Sequence, residues 1–87
     1  MEGVVKNWIV YLLRCADDTL YCGITNDLDR RLRAHGAGRG AVYTRGRLPV
    51  CLAARSRLMT RSDALRLEMK IKKMPRELKI ASLQDHS

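Results

Sequence analysis

The run Trp8-Ile-Val-Tyr-Leu-Leu-Arg-Cys15 is almost unbroken in apolar and β-branched residues, the pattern of a strand buried on both faces and central in a sheet. A polar corner, Ala16-Asp17-Asp18, separates it from Thr19 to Thr25, where Leu20, Tyr21, Cys22 and Ile24 suit a hairpin partner. Two loop lengths are open. If Asp17 and Asp18 alone make the turn, Tyr11 faces Ile24 and the tyrosines Tyr11 and Tyr21 lie on opposite faces. If Ala16 to Asp18 form a three-residue loop closing on a left-handed Asp18, Cys15 pairs with Thr19, Leu13 with Tyr21 and Tyr11 with Gly23. Both tyrosines then share a face, and this register is preferred, in part for the chemistry it allows.

The pattern next turns helical. Asn26 or Asp27 can cap a helix beginning near Leu28, and Gly36 can end it. With Leu28 at zero and about 100° per residue, Leu32 falls near 40°, His35 near −20° and Arg31 near −60°, whereas Arg33 and Arg30 fall near 140° and 200°. Arg31 and His35 therefore border the buried stripe, and Arg30 and Arg33 look outward. Gly36 to Gly46 is glycine-rich, basic and aperiodic, so it reads as an ordered or partly mobile loop whose Arg39, Arg45 and Arg47 can approach phosphates. It lacks the Lys-Ser or Lys-Thr of a nucleotide-binding P-loop.

Pro49 to Arg57 reads as a third strand, with Val50, Leu52 and Ala54 alternating against Cys51 and Ala53. Thr60 and Asp63 resemble a capping box, and Ala64, Leu67, Ile71 and Met74 follow at helical spacing, which predicts a helix from about Arg61 to Met74. Glu68 lies on the apolar edge of that helix and needs a partner, with Arg66 and Lys72 in reach. Pro75 breaks the chain before a short last helix over Arg76 to Leu83, with Leu78 and Leu83 free to pack and a frayed tail beyond. The expected fold is α+β: a small three-stranded antiparallel sheet flanked by helices, in the order β-β-α-β-α-α. Residues 1–87 form one domain, with its core at about 8–83.

Composition narrows the partners. The formal net charge is +8, from 17 Lys and Arg against 9 Asp and Glu, which favours a polyanion through Coulomb attraction and counterion release. Nucleic acid leads, DNA ahead of RNA. The longest apolar run, Trp8 to Leu13, is far below a membrane-spanning length, and Met1 to Asn7 show no signal-peptide pattern, so the expected location is the cytosol or nucleoid of a bacterium. Cys15, Cys22 and Cys51 have neither CxxC nor zinc-finger spacing and read as free, buried thiols. Phe is absent and Trp occurs once, so a stacking platform for single-stranded bases has little to build with.

Five polar residues remain that can converge: Tyr11, Tyr21, Arg31, His35 and Glu68. Taken singly, each has a bland reading as a rim tyrosine, an ion-pair partner or a core-edge histidine. Taken together, they offer the cation, the carboxylate and the proton-accepting groups that phosphodiester cleavage needs. In order and spacing they resemble the GIY-YIG nuclease superfamily, especially its short stand-alone bacterial members, the YhbQ-like group. The first triad stands here as Ile9-Val10-Tyr11 and the second as Tyr21-Cys22-Gly23, with Arg31 and His35 eight and twelve residues after Gly23. Glu68 matches the family's metal-binding glutamate, and Gly40-Ala41-Val42-Tyr43-Thr44-Arg45 looks like the loop signature of the small members. Ile9 replaces the glycine of the first triad and Cys22 the isoleucine of the second, at positions expected to pack rather than react.

The resemblance implies a metal-dependent endonuclease that hydrolyses DNA by structure rather than sequence, in DNA repair or processing. Glu68 would hold one Mg²⁺ or Mn²⁺, Tyr11 would help take a proton from water, Tyr21 would orient water or phosphate, Arg31 would neutralise phosphoryl charge, and His35 would relay the proton. Gly23, Arg39, Tyr43, Thr44 and Arg45 are the expected substrate contacts. No extra recognition domain is expected, which leaves room for a protein partner that supplies specificity. A nucleic-acid-binding adaptor of little activity is the alternative, and a basic protein bound to RNA or ribosomes a third.

Overall fold

The computed structural model describes residues 4–87, so part of the Met1 to Asn7 segment lies outside the described residues. Strands β1 (Ile9–Arg14), β2 (Leu20–Thr25) and β3 (Cys51–Arg55) form one antiparallel sheet in the order β2-β1-β3. The apolar strand β1 is the central one, as its run of buried residues requires. Helices α1 (Leu28–Gly36), α2 (Val42–Arg45), α3 (Arg61–Lys72) and α4 (Arg76–Gln84) complete the chain.

Alternation along β1 divides the core. Val10 and Leu12 point into a cluster with Cys22, Ala54, Ala64, Leu67, Ile71 and Leu83, covered by α3 and α4. Ile9, Tyr11 and Leu13 point the other way, where Tyr21, Leu28, Leu32 and Val50 pack. The hairpin adopts the three-residue loop: Tyr11 pairs with Gly23 and Leu13 with Tyr21, and Asp18 takes the left-handed conformation at φ 66°. Cys15 N–H donates to Thr19 C=O, and Asp17 accepts from the Thr19 backbone and hydroxyl. That local hydrogen bonding is what the Ala16-Asp17-Asp18 corner encodes.

Asp27 is the cap of α1, accepting from Arg30 N–H at 3.1 Å. Thr60 caps α3 through Asp63 N–H at 3.0 Å, as the capping-box pattern indicates.

Five expectations need correction. The Gly36 to Gly46 segment is not loop throughout, because Thr44 and Arg45 N–H groups turn back onto Ala41 C=O and wind the single turn of α2. Strand β3 is shorter than Pro49 to Arg57, and its simple alternation fails: the register slips opposite Leu12 and Leu13, so Val50 and Ala54 serve different clusters. Helix α3 stops at Lys72, short of Met74, and the Lys79 ammonium bonds the freed carbonyls of Ile71 and Lys72, at 2.8 and 3.0 Å. Leu83 is fully buried but Leu78 is 52% exposed, and the tail is tied in by Arg57 N–H donating to His86 C=O. Cys51 is exposed; Cys15 and Cys22 are the buried thiols.

Candidate active site

Four of the five polar residues meet on the sheet face covered by α1. The central strand and its hairpin partner supply Tyr11 and Tyr21, whose ring centroids lie 6.3 Å apart. The first helix supplies Arg31 and, one turn later, His35, so both project from one side of α1. The Tyr11 hydroxyl and His35 Nε2 are hydrogen-bonded at 3.1 Å, and the Tyr21 ring lies 5.4 Å from the imidazole. Tyr11 and His35 are both fully buried.

Two glycines make room for this pair. A Cβ on Gly23, directly across β1 from Tyr11, would fall 2.6 Å from the Tyr11 hydroxyl. A Cβ on Gly40 would overlap His35 Nδ1. Beneath the imidazole, His35 Nδ1 lies 2.8 Å from Thr44 Oγ1, and the Thr44 hydroxyl donates to Ala41 C=O at 2.9 Å. No buried side-chain polar atom among the described residues lacks a partner.

The electrostatics are those of a half-buried cation beside two phenols. Burial raises the Tyr11 pKa above its ordinary value of 10.0, only partly offset by hydrogen bonding to Arg31. The reciprocal interaction with Tyr11 raises Arg31, which stays charged at any working pH. Burial, reinforced by Arg31, lowers His35 from 6.5, so the imidazole is neutral at neutral pH. Burial therefore favours the neutral phenol at Tyr11, whose hydroxyl is hydrogen-bonded to His35 Nε2.

The remaining sequence candidates take different places. The Tyr43 ring stacks on Tyr21 with centroids 6.0 Å apart, and the Arg47 guanidinium lies over the Tyr43 ring at 4.0 Å. Arg47 also reaches Asp17 in the hairpin turn at 2.9 Å and the Tyr43 carbonyl at 2.7 Å. Arg45 donates to Gly40 C=O, Arg39 is exposed, and Thr44 is fully buried behind His35. Glu68 lies outside this hydrogen-bond network. It lies on α3, paired with Lys72 at 3.5 Å and close enough to Cys22 to help burial push that thiol up to about 12. No hydrogen bond or ion pair among the described residues joins it to Tyr11, Tyr21, Arg31 or His35. Two contacts lacked a sequence signal: Gly40 stood in the loop signature with no sign that it abuts His35, and the Asp17–Arg47 link spans thirty residues.

The chain is similar to several known proteins. Relatives include UPF0213 proteins from Nitratidesulfovibrio vulgaris, 54% identical over 87% of this chain and 69% of that protein, and from Xanthomonas axonopodis, 46% identical over 92% and 78%. Among solved structures, a UPF0213 protein from Bacillus halodurans is 40% identical with a TM-score of 0.54 over 88% of this chain and 84% of that one. A protein from E. faecalis is 36% identical with a TM-score of 0.61 over 98% and 90%. The sequence profile of the GIY-YIG catalytic domain matches residues 7–80, and the chain belongs to the GIY-YIG family.

Proposed function

We propose that this chain is a metal-dependent endonuclease that hydrolyses DNA phosphodiester bonds, selecting by structure rather than sequence, in DNA repair or processing. The observation that carries this reading is the Tyr11, Tyr21, Arg31 and His35 cluster, with a neutral imidazole hydrogen-bonded to a neutral phenol beside a fixed cation. Water would give its proton to the Tyr11 oxygen as Tyr11 passes its own to His35 Nε2. The water oxygen would then form a bond to phosphorus while an ester P–O bond breaks, and solvent would protonate the leaving alkoxide. Arg31 would neutralise the charge that grows on the phosphoryl oxygens. Tyr21, held between Tyr11 and Tyr43, would orient the phosphate or the water.

The metal donor set is sparse. Among the described residues no group of three His, Cys, Asp or Glu could hold an ion, which fits only a largely hydrated ion completed by substrate oxygens. Glu68 would hold one such Mg²⁺ or Mn²⁺, which supplies charge neutralisation at the scissile phosphate. The net charge of +8 and the exposed Arg30, Arg33 and Arg39 suit a DNA backbone. Gly23, Tyr43 and Arg45 would line the approach. No helix of the described residues is long and apolar enough to cross a membrane, and the reading places the protein in the cytosol or nucleoid.

The test is incubation with labelled branched, flapped, single-stranded and duplex DNA in Mg²⁺ or Mn²⁺. Cleavage that falls at least about a hundredfold in Arg31→Ala and Glu68→Ala is expected. No cleavage of any substrate by wild type, or equal cleavage by these variants, overturns the reading. The Glu68–Lys72 pair, which ties up the expected metal carboxylate, favours a second reading as a nucleic-acid-binding adaptor that works with a partner protein. Salt-sensitive DNA binding without cleavage would establish it.

A further inference from the structure

Thr44 offers nothing to a substrate, since it is fully buried, yet it belongs to the one helical turn that closes over His35. A hydroxyl has a single proton to give. The Thr44 proton goes to the Ala41 carbonyl at 2.9 Å, which leaves Oγ1 able only to accept toward His35 Nδ1, 2.8 Å away. An imidazole that donates from Nδ1 must, when neutral, carry a lone pair on Nε2. That lone pair faces the Tyr11 hydroxyl.

We infer that Thr44 is a positioning residue that sets the His35 tautomer, so that the buried Tyr11 proton points at an acceptor nitrogen and the pair can pass a proton from the Tyr11 oxygen to the imidazole. The inference rests on the nuclease reading for its use, though not for its existence. Were Thr44 to donate instead, Nε2 would carry the hydrogen, Tyr11 would accept from it, and His35 would have no room for a proton arriving from water. Ala41 C=O accepts the Thr44 N–H as well, so the α2 turn that fixes the backbone also fixes the hydroxyl. Gly40 completes the seat by letting the chain lie flat against the ring. His35 is enclosed by Tyr11, Tyr21 and Thr44, with Arg31 the charged group that acts on it. Only the tautomer distinguishes an acceptor at Nε2 from a donor there.

Long-range ¹H–¹⁵N NMR of the intact protein at neutral pH reads the tautomer, with His86→Gln used to assign the second histidine. Wild type should show a pyrrole-type Nδ1 and a pyridine-type Nε2 for His35. Thr44→Val, close in shape but unable to accept, should mix or reverse the two, and Thr44→Ser should keep the wild-type pattern. A protonated Nε2 in wild type, or an unchanged tautomer in Thr44→Val, overturns the inference, and the wild-type spectrum decides even if Thr44→Val does not fold. On a DNA substrate cut by wild type, Thr44→Val should lose at least about tenfold in rate and Thr44→Ser should recover it. Wild-type rates in a Thr44→Val variant with a reversed tautomer would overturn the role in the proton path. The expected spectra without cleavage of any DNA would leave the tautomer assignment standing and remove the nuclease reading alone.

Discussion

Gly40 lies against the imidazole of His35 so closely that a methyl group on its α-carbon would overlap Nδ1, with further ring atoms inside 3 Å. The obstructing atoms belong to a buried ring held at both nitrogens, not to the free end of a flexible side chain. Overpacking of this kind costs about 1–3 kcal/mol, more than the roughly 0.4–1 kcal/mol that replacing Gly with Ala gains through the unfolded chain. Gly40→Ala should therefore lower the urea midpoint. Gly36→Ala, where a Cβ would meet nothing within 4 Å, should leave it unchanged or raise it. Equal midpoints for the two variants would contradict the close approach.

Acidification should weaken the fold through His35. Its folded pKa is depressed by burial and by Arg31, so the unfolded chain binds the proton first as pH falls below the ordinary 6.5. Stability consequently declines from pH 6.5 downward until the folded imidazole itself protonates, and it is fully present above pH 6.5. Urea titrations at pH 7.5 and 5.5 should show this loss in wild type and a smaller one in His35→Gln. A loss of equal size in both would assign the acid sensitivity elsewhere.

The three thiols should separate cleanly in an alkylation experiment. Cys51 is exposed, whereas Cys15 is buried and Cys22 is buried with its pKa pushed up to about 12 by burial and by the Glu68 charge. The thiolate is the reactive form, so near pH 8 Cys22 is shielded by access and by protonation together. Mass spectrometry after a short iodoacetamide pulse should find one adduct, at Cys51. Rapid modification of Cys22 in the native state would contradict its placement under α3.

Helix α4 allows a paired test of packing. Leu83 is fully buried in the cluster with Ile71 and Val10, and Leu78 on the same helix is 52% exposed. Leu83→Ala should cost about 2–5 kcal/mol, through lost transfer free energy and the cavity left behind. Leu78→Ala should stay within about 1 kcal/mol. Denaturant curves that rank the two the other way would reverse the orientation of the helix.

Glu68 gives the sharpest test of the metal assignment. Its ion pair with Lys72 joins a largely buried carboxylate to an exposed ammonium, worth about 0–1 kcal/mol to stability. Lys72→Ala should fold normally and should lower the Mn²⁺ concentration needed for half-maximal cleavage, because the carboxylate no longer has a competing cation. Glu68→Gln, or chelation of the wild type, should abolish cleavage. Metal dependence unchanged in Glu68→Gln would place the ion on other ligands.

Much of this architecture was legible because local chemistry wrote it. Asp27, Thr60 and Asp18 are residues whose side chains or tolerated dihedrals dictate a cap or a turn, and each does so where the pattern put it. The apolar run at Trp8 to Cys15 could hardly be anything but a central strand. The convergence of Tyr11, Tyr21, Arg31 and His35 was readable in part: helical period put Arg31 and His35 on one edge, but two hairpin registers were open and the choice between them leaned on the chemistry. Nonlocal contacts were not. Nothing near Thr44 or Gly40 in the chain says that either lies against His35, and the slip opposite Leu12 and Leu13 arises from pairing with β3. The position of Glu68 belongs to the same class, because helical periodicity placed it on an apolar edge without saying which face of the sheet that edge covers.

The central position of β1 gives the candidate site two unlike halves. Tyr11 rides on a strand hydrogen-bonded along both edges, so its amide should exchange only when the whole domain opens. Thr44 rides on a single turn of helix anchored by the Arg47–Asp17 contact, and its amide can exchange through a local opening. Any breathing of the site should thus be one-sided, with the phenol held still and the floor beneath the imidazole lifting.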